Sequence, residues 1–124
     1  MRLLVRSGAC AVLLTLTAAT SAAAADIEAG KTTFKKCALC HTNEPGKNKV
    51  GPSLFGIVGR KSASLDNYNY SDAMKNFKHI WTPEILDIYL TDPHAEVAGT
   101  KMIFPGIKDK TERDNLIVYL ETLK

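Results

Sequence analysis

The sequence predicts a small all-α domain, and three observations lead to that prediction. Residues 26–124 follow a leader-like segment, and about 100 residues is a length that suits one domain. Four helix starts are predicted in this part, at the N-cap residues Asp26, Ser71, Thr82 and Thr111. No internal repeat or low-complexity run interrupts this part of the chain. One helical domain is therefore expected over residues 26–124.

Residues 1–25 have the pattern of a cleaved secretory signal peptide. Arg2 and Arg6 precede an apolar stretch of small residues, and the alanines that end at Ala25 fit a signal-peptidase site. The apolar run is too short for a membrane anchor, and Cys10 is expected to leave with the leader. The sequence thus predicts export without an anchor, which in a bacterium means the periplasm.

The charge balance argues against a nucleic-acid partner. The whole chain has 16 Lys and Arg against 13 Asp and Glu, and the leader contains Arg2 and Arg6 but no acidic residue. The mature chain therefore has 16 − 2 = 14 basic and 13 acidic residues, a net charge near +1. This is too close to neutral for a nucleic-acid-binding protein, so partner steering must come from local clusters of charge.

The first predicted helix begins at the N-cap Asp26 and runs to about Cys37. Gly30 lies inside it, at a cost of about 1 kcal/mol relative to alanine, so a packing reason for the glycine is expected. The apolar positions available for burial are Ile27, Phe34 and Leu39.

Three further helices are predicted towards the C-terminus. Ser71 opens a short one that contains Met74. Thr82, followed by proline and glutamate, opens the next, since proline suits the first helical position. Thr111 opens the last, with Asp114 three residues later in a pattern that is similar to a capping box.

The segment Cys37-Ala38-Leu39-Cys40-His41 has the spacing of a c-type haem attachment site. Each thiol can form a thioether with one vinyl group, and the following imidazole is a good iron ligand. A thioredoxin-like cysteine pair would leave His41 unexplained. A zinc site would need two more ligands at metal spacing, and the other histidines are His79 and His94.

Met102 is the candidate for a second axial ligand of the iron. It lies in a segment bracketed by Gly99 and Gly106, which argues against a helix there. A thioether is a soft ligand that favours ferrous iron and raises the reduction potential. Alone, Met102 would be interpreted as a core residue that fills a gap, but the haem motif favours ligation. Met74 is the rival methionine, expected to pack near the ring instead.

Taken together, these segments resemble class I cytochromes c, of the mitochondrial type and its bacterial monohaem relatives. The resemblance covers the chain from about Asp26 onward. Its blocks, in order, are residues 37–42, 51–56, 59–61, 81, 99–104 and 110–120. It implies a small all-α cytochrome c fold, with crossing N- and C-terminal helices and two or three short helices and loops around one covalent haem c.

The resemblance also implies where the two terminal helices meet. In this family they cross tightly at a glycine beside an aromatic residue. Gly30 and Phe34 match those positions and would pack against Leu116 and Tyr119.

The same resemblance assigns residues to the haem environment. The carbonyl of Pro52 would accept a hydrogen bond from His41 and orient its ring. Met74 departs from the mitochondrial pattern, in which asparagine is usual, and would make the surroundings of the ring drier. Arg60, Tyr70 and Trp81 match residues on the side of the haem propionates. The full set is Pro52, Arg60, Tyr70, Met74, Trp81, Tyr89, Thr100 and Phe104.

The function implied by the resemblance is one-electron transfer by a soluble, monomeric carrier that is not an enzyme. Its donors and acceptors would be a quinol–cytochrome c reductase and a terminal oxidase or photosynthetic reaction centre. Lysines around the exposed haem edge would contact these partners, namely Lys36, Lys49, Lys101 and Lys108. A small haem peroxidase and a gas-binding sensor are the alternatives, and both need an open or labile sixth position on the iron.

Overall fold

The computed structural model describes residues 24–124, so the predicted signal features at Arg2, Arg6 and Cys10 lie outside the described residues. Five helices follow in chain order: α1 Ile27–Phe34, α2 Asp72–Phe77, α3 Pro83–Thr91, α4 Pro93–Glu96 and α5 Lys110–Glu121. Within the described residues, β-structure is limited to one isolated antiparallel bridge between Lys61 and Ile80. The prediction of an all-α fold is confirmed. None of the helices over residues 24–124 is long and apolar enough to cross a membrane.

The N-terminal helix α1 and the C-terminal helix α5 cross in close contact. A Cβ at Gly30 would overlap the backbone carbonyl of Asn115 and come within 2.8 Å of the Cβ of Tyr119. Beside this contact, the rings of Phe34 and Tyr119 lie 5.3 Å apart, and Leu116 is fully buried. The expected crossing at Gly30 and Phe34 is therefore confirmed, and the cost of glycine in a helix is explained by the close approach of the two backbones.

Three of the predicted helix caps are confirmed. The Asp26 carboxylate accepts hydrogen bonds from the first-turn amides of α1, one of them 2.8 Å long. Ser71 caps α2 by accepting from the amide of Met74 at 3.1 Å, and Thr82 caps α3 by accepting from Ile85 at 3.2 Å. Each cap satisfies an amide that has no partner within its helix.

The end of α1 differs from the prediction. The helix ends at Phe34, before Cys37, and turns continue to Cys40. The amides of Lys35, Lys36 and Cys37 bond to carbonyls three residues earlier, which tightens the backbone and ends the regular helix.

The start of α5 also differs. Asp109 is its N-cap and accepts from the amide of Glu112 at 2.7 Å, whereas Thr111 lies within the helix. A carboxylate interacts more favourably than a hydroxyl with the positive end of the helix, which explains why Asp109 and not Thr111 is the N-cap. Asp114 does not complete a capping box, because its carboxylate accepts from Lys110 at 2.8 Å.

The four-residue helix α4 was not predicted as a separate element. It begins at Pro93 directly after α3, and Asp92 caps it by accepting from the amide of Ala95 at 3.1 Å. The same Asp-Pro pair that ends α3 therefore starts α4. This places residues 97–106, which contain Met102, as an irregular segment between α4 and α5.

Candidate haem site

One cavity of about 520 Å³ lies between the irregular segments and the helices. It is lined by both cysteines of the attachment motif, by His41 and by Met102. The eight residues expected in the haem environment also line it: Pro52, Arg60, Tyr70, Met74, Trp81, Tyr89, Thr100 and Phe104. Residues that are far apart in the chain, such as Cys37 and Met102 at 65 positions from each other, thus face the same space.

The imidazole of His41 is held from one side of the cavity. Its Nδ1 lies 2.7 Å from the carbonyl oxygen of Pro52, and a Cβ at Gly51 would overlap the ring. Burial lowers the pKa of His41, so the ring is neutral at physiological pH. A neutral ring that donates through Nδ1 carries its lone pair on Nε2, where a metal can bind.

The thiol of Cys37 differs from that of a reactive redox cysteine. Burial raises the pKa of Cys37 to about 11, whereas reactive redox cysteines have a lowered pKa. No disulfide joins Cys37 and Cys40. Over residues 24–124 no group of three or more His, Cys, Asp and Glu side chains is arranged to hold a metal ion.

Two contacts hold Met102 at the cavity. The Tyr89 hydroxyl lies 3.8 Å from the Met102 sulfur and donates towards it, and the Met102 amide donates to the Thr100 hydroxyl at 3.3 Å. Burial raises the pKa of Tyr89 to about 12, so this hydroxyl keeps its proton. Met74 also lines the cavity, but the hydroxyl of Tyr89 donates its hydrogen bond to the sulfur of Met102.

Arg60 places a positive charge on the cavity wall. Its guanidinium donates to the carbonyls of Ser53 at 2.9 Å and Phe55 at 3.0 Å, and it pairs with no carboxylate of the described chain. Burial lowers the pKa of Arg60, as expected for a cation removed from water. An ion taken out of water calls for a compensating charge, so Arg60 fits the carboxylates that a haem carries.

Aromatic side chains also line the cavity. The indole of Trp81 is buried and lies 4.8 Å from the ring of Tyr89, and the ring of Tyr70 lies 4.8 Å from that of Tyr68 in an edge-on arrangement. The largely apolar lining, the buried Arg60 cation, the two thiols, the imidazole and the sulfur of Met102 fit a haem held by two covalent bonds.

The four lysines expected at the haem edge divide into two pairs. Lys36 forms an ion pair with Glu112. Lys108 lies 3.9 Å from the carboxylate of Asp92 and also donates to the backbone carbonyl of Thr91 at 2.6 Å. Their charges are therefore partly balanced within the chain. Lys36 lines the cavity, whereas Lys108 does not.

Lys49 and Lys101 belong to the second pair, and both bond to backbone carbonyls. The Lys49 ammonium donates to the carbonyl of Ala38 at 2.7 Å, and the Lys101 ammonium donates to that of Asn69 at 2.8 Å. Neither pairs with a carboxylate of residues 24–124.

Sequence reasoning missed three aliphatic residues at the cavity mouth. Leu39, which was expected to be buried, is 78% exposed, and Val50 and Ile103 are 78% and 90% exposed. All three line the cavity. Their positions in the sequence could have revealed them. Each is a large aliphatic residue inside or directly beside one of the segments that resemble the cytochrome c family, and such a residue can face the haem cavity instead of the polypeptide core.

Comparisons with known proteins agree with this geometry. The family whose pattern matches residues 27–124 is described as cytochrome c. The chain is similar to cytochrome c2 of Rhodoplanes tepidamans, 50% identical over 77% of this chain and 90% of that one. It is also similar to cytochrome c-550 of Bradyrhizobium diazoefficiens, 50% identical over 74% and 68% of the two chains. The structure of cytochrome cH from Methylobacterium extorquens superposes with a TM-score of 0.74 at 45% identity, over 78% of this chain and 98% of that one.

Proposed function

The chain belongs to the cytochrome c family, and we propose that Cys37 and Cys40 attach its haem. As a member of the family it carries one covalent haem c and is an electron carrier, not an enzyme. One observation carries the assignment of the site, namely that two thiols, an imidazole and a thioether line a single, mostly apolar cavity.

The axial ligands in this proposal are His41 and Met102. Pro52 holds the His41 ring so that Nε2 is available, and burial keeps the ring neutral. Tyr89 directs a hydrogen bond at the Met102 sulfur, which draws electron density from it. When bound, the haem supplies reversible one-electron exchange at its iron.

The remaining cavity residues set the polarity around the iron, whose charge would change by one unit on electron transfer. Arg60 would supply a cation for the carboxylates of the haem, while Trp81 and Phe104 would help to exclude water. A drier cavity strengthens the effect of every fixed charge on the reduction potential. The chain contributes orientation and electrostatics rather than acid–base chemistry.

We place the mature protein, residues 26–124, in the periplasm because residues 1–25 have a leader-like sequence. We propose that it acts there as a monomer. Its proposed partners are a quinol–cytochrome c reductase as donor and a terminal oxidase or photosynthetic reaction centre as acceptor. Support comes from the similarity to proteins called cytochrome c2 and c-550. Export is tested by recovering the processed chain, beginning at Asp26, from a periplasmic extract.

Attachment is tested by acid–acetone extraction of the purified holoprotein. Haem should stay with the wild-type polypeptide, because two thioether bonds are covalent. Cys37→Ala and Cys40→Ala should each leave one bond, and the double variant should yield extractable haem or no holoprotein. Extraction of haem from the wild type would contradict the assignment.

Ligation is tested by absorption spectra of the ferric protein and by potentiometric titration. The wild type should be low-spin, with the weak sulfur-to-iron charge-transfer band at the red end of the spectrum. Met102→Ala should abolish the band and lower the potential, while the matched change Met74→Leu should keep it. A band that survives in Met102→Ala would transfer the role to Met74. A high-spin, open iron in the wild type would favour a peroxidase or a gas sensor.

A further inference from the structure

The backbone nitrogen of Asp26 joins the start of α1 to the middle of α5. Its N–H donates to the side-chain oxygen Oδ1 of Asn115 at 2.8 Å, across 89 positions of the chain. Asn115 also belongs to the helix crossing, where its backbone carbonyl faces Gly30. The first turn of α1 is therefore tied to α5 by a side chain as well as by the close approach of the two backbones.

Asp26 is also the residue at which the mature chain is proposed to begin. Removal of the leader hydrolyses the peptide bond between Ala25 and Asp26, so that Ala25 takes the oxygen of the water as a carboxylate and Asp26 gains an α-amino group. This group is protonated at neutral pH. The nitrogen that donates one N–H as an amide then has a positive charge and three N–H donors. A hydrogen bond from a charged donor is stronger than one from a neutral amide.

The surroundings of this nitrogen favour a positive charge. Ala25 lines a groove between α3 and α5 together with five ionisable residues: Glu84, Asp87, Lys110, Asp114 and Glu121. Asp114 is paired with Lys110, and Asp87 is paired with an arginine of α5. Glu84 and Glu121 form no ion pair within residues 24–124. The groove therefore has two negative charges that the described part of the chain does not balance.

The helix α1 itself has two opposite effects on an ammonium group at its start. The positive end of the helix dipole repels such a group. The carboxylate of Asp26 caps this end and accepts from the amides of Glu28 and Ala29 at 2.8 Å and 3.2 Å, so a negative charge lies beside the nitrogen. Lys110, the cation of the groove, is held by Asp114 at 2.8 Å. The charges beside the nitrogen, from α1, α3 and α5 together, are therefore negative in sum.

We propose that the α-ammonium group of Asp26, formed when the leader is removed, replaces the amide as the donor to Asn115 and fastens α1 to α5 more tightly. The inference rests on the proposed removal of residues 1–25. A cut one residue earlier leaves Ala25 in place and keeps only a neutral amide at Asn115. A cut one residue later removes Asp26 and its helix cap. The position of the cut is thus matched to the fold.

The test compares the mature holoprotein, which begins at Asp26, with the same holoprotein that retains Ala25. Each form is released from an exported fusion by a sequence-specific protease, and mass spectrometry confirms its first residue. Chemical denaturation then gives the equilibrium constant between the folded and the unfolded protein. At about pH 7 and low salt, retention of Ala25 should lower this constant about threefold to tenfold, because a neutral amide replaces a charged donor.

The pH dependence separates the charge from the contact. The folded state favours the charged form of the α-amino group, so its contribution is present at neutral pH and is lost as the pH rises and the group gives up its proton. The difference between the two forms should therefore disappear near about pH 10. A difference of the same size at both pH values would overturn the proposal.

Asn115→Ala tests whether the bond to this side chain is responsible. In that variant, retention of Ala25 should change the equilibrium constant by less than about twofold. Asn76→Ala, a matched change at an exposed position of α2, should keep the full difference. Asn115→Asp keeps an acceptor and adds a negative charge, so it should enlarge the difference, and it serves as the second variant if Asn115→Ala folds poorly.

Two further outcomes would overturn the proposal. One is an equal equilibrium constant for the two forms at neutral pH, and the other is an undiminished difference in Asn115→Ala. The failure of the proposed processing looks different, because the chain recovered from the periplasm would then begin at a residue other than Asp26. A chain that begins at Asp26 but is no more stable than the form with Ala25 contradicts only the inference about its ammonium group.

Discussion

The crossing of α1 and α5 and the methionine segment, residues 97–106, are stabilised in different ways. At the crossing, Gly30 brings two backbones into contact and Leu116 is fully buried. In the methionine segment, Ile103 is 90% exposed, and Met102 is held by the side chains of Tyr89 and Thr100. Backbone packing resists change, whereas a few hydrogen bonds can open locally at a small cost in free energy. We therefore expect the crossing to set global stability and the segment to set redox properties.

The largest effect should come from Gly30→Val. Its side chain would collide with the carbonyl of Asn115, so we expect a loss of about 3 kcal/mol in the free energy of unfolding. Lys31→Val, one residue on at an exposed position, is the control and should cost about 0.5 kcal/mol through helix propensity. Chemical denaturation measures both changes. The charge-transfer band of the folded ferric protein should persist in Gly30→Val, and equal destabilisation by the two variants would contradict the proposed rigidity of the crossing.

A smaller effect on the same region is expected from Asp109→Ala. Asp109 accepts from the amide of Glu112, so its loss should cost about 1 kcal/mol of unfolding free energy. Thr111→Ala is the matched control and should stay within about 0.5 kcal/mol, because Thr111 lies inside the helix. A larger loss of unfolding free energy in Thr111→Ala than in Asp109→Ala would mean that Thr111 is the N-cap.

In the methionine segment, Lys101→Met should act locally. It removes the hydrogen bond to the carbonyl of Asn69, worth about 1 kcal/mol, so added imidazole should displace Met102 about fivefold faster. Stopped-flow absorption of the charge-transfer band gives the rate. Lys124→Met, at the exposed chain end, should leave it unchanged. A fall in global stability without faster displacement would mean that this bond belongs to the core rather than to a local opening.

The smallest effect should come from Tyr89→Phe, which removes the donor at the Met102 sulfur. More electron density then remains on the sulfur and favours ferric iron, so the potential should fall by at most about 40 mV, equivalent to about 1 kcal/mol for one electron. Tyr119→Phe makes the same change at the crossing, where the hydroxyl accepts from Asn43, and should leave the potential unchanged. Equal shifts in the two variants would remove the distinction between the regions.

The sequence by itself determined those features that depend on neighbours within about one helical turn. Asp26, Ser71 and Thr82 cap the helices that their own sequences predict, because the amides they satisfy lie two or three residues away. The attachment motif is equally local, since two thiols and an imidazole follow one another within five residues. Family resemblance then added the crossing at Gly30, which spacing alone does not reveal.

Only the tertiary structure decided the features that depend on residues far apart in the chain. Lys36 is paired with Glu112 across 76 residues, and Lys101 bonds to the carbonyl of Asn69 across 32, so two similar lysines have different surroundings. Leu39 is aliphatic like a core residue but is exposed at the cavity mouth. Burial and ion pairing are set by whichever distant segments the fold brings together, and so a residue's local sequence does not determine them.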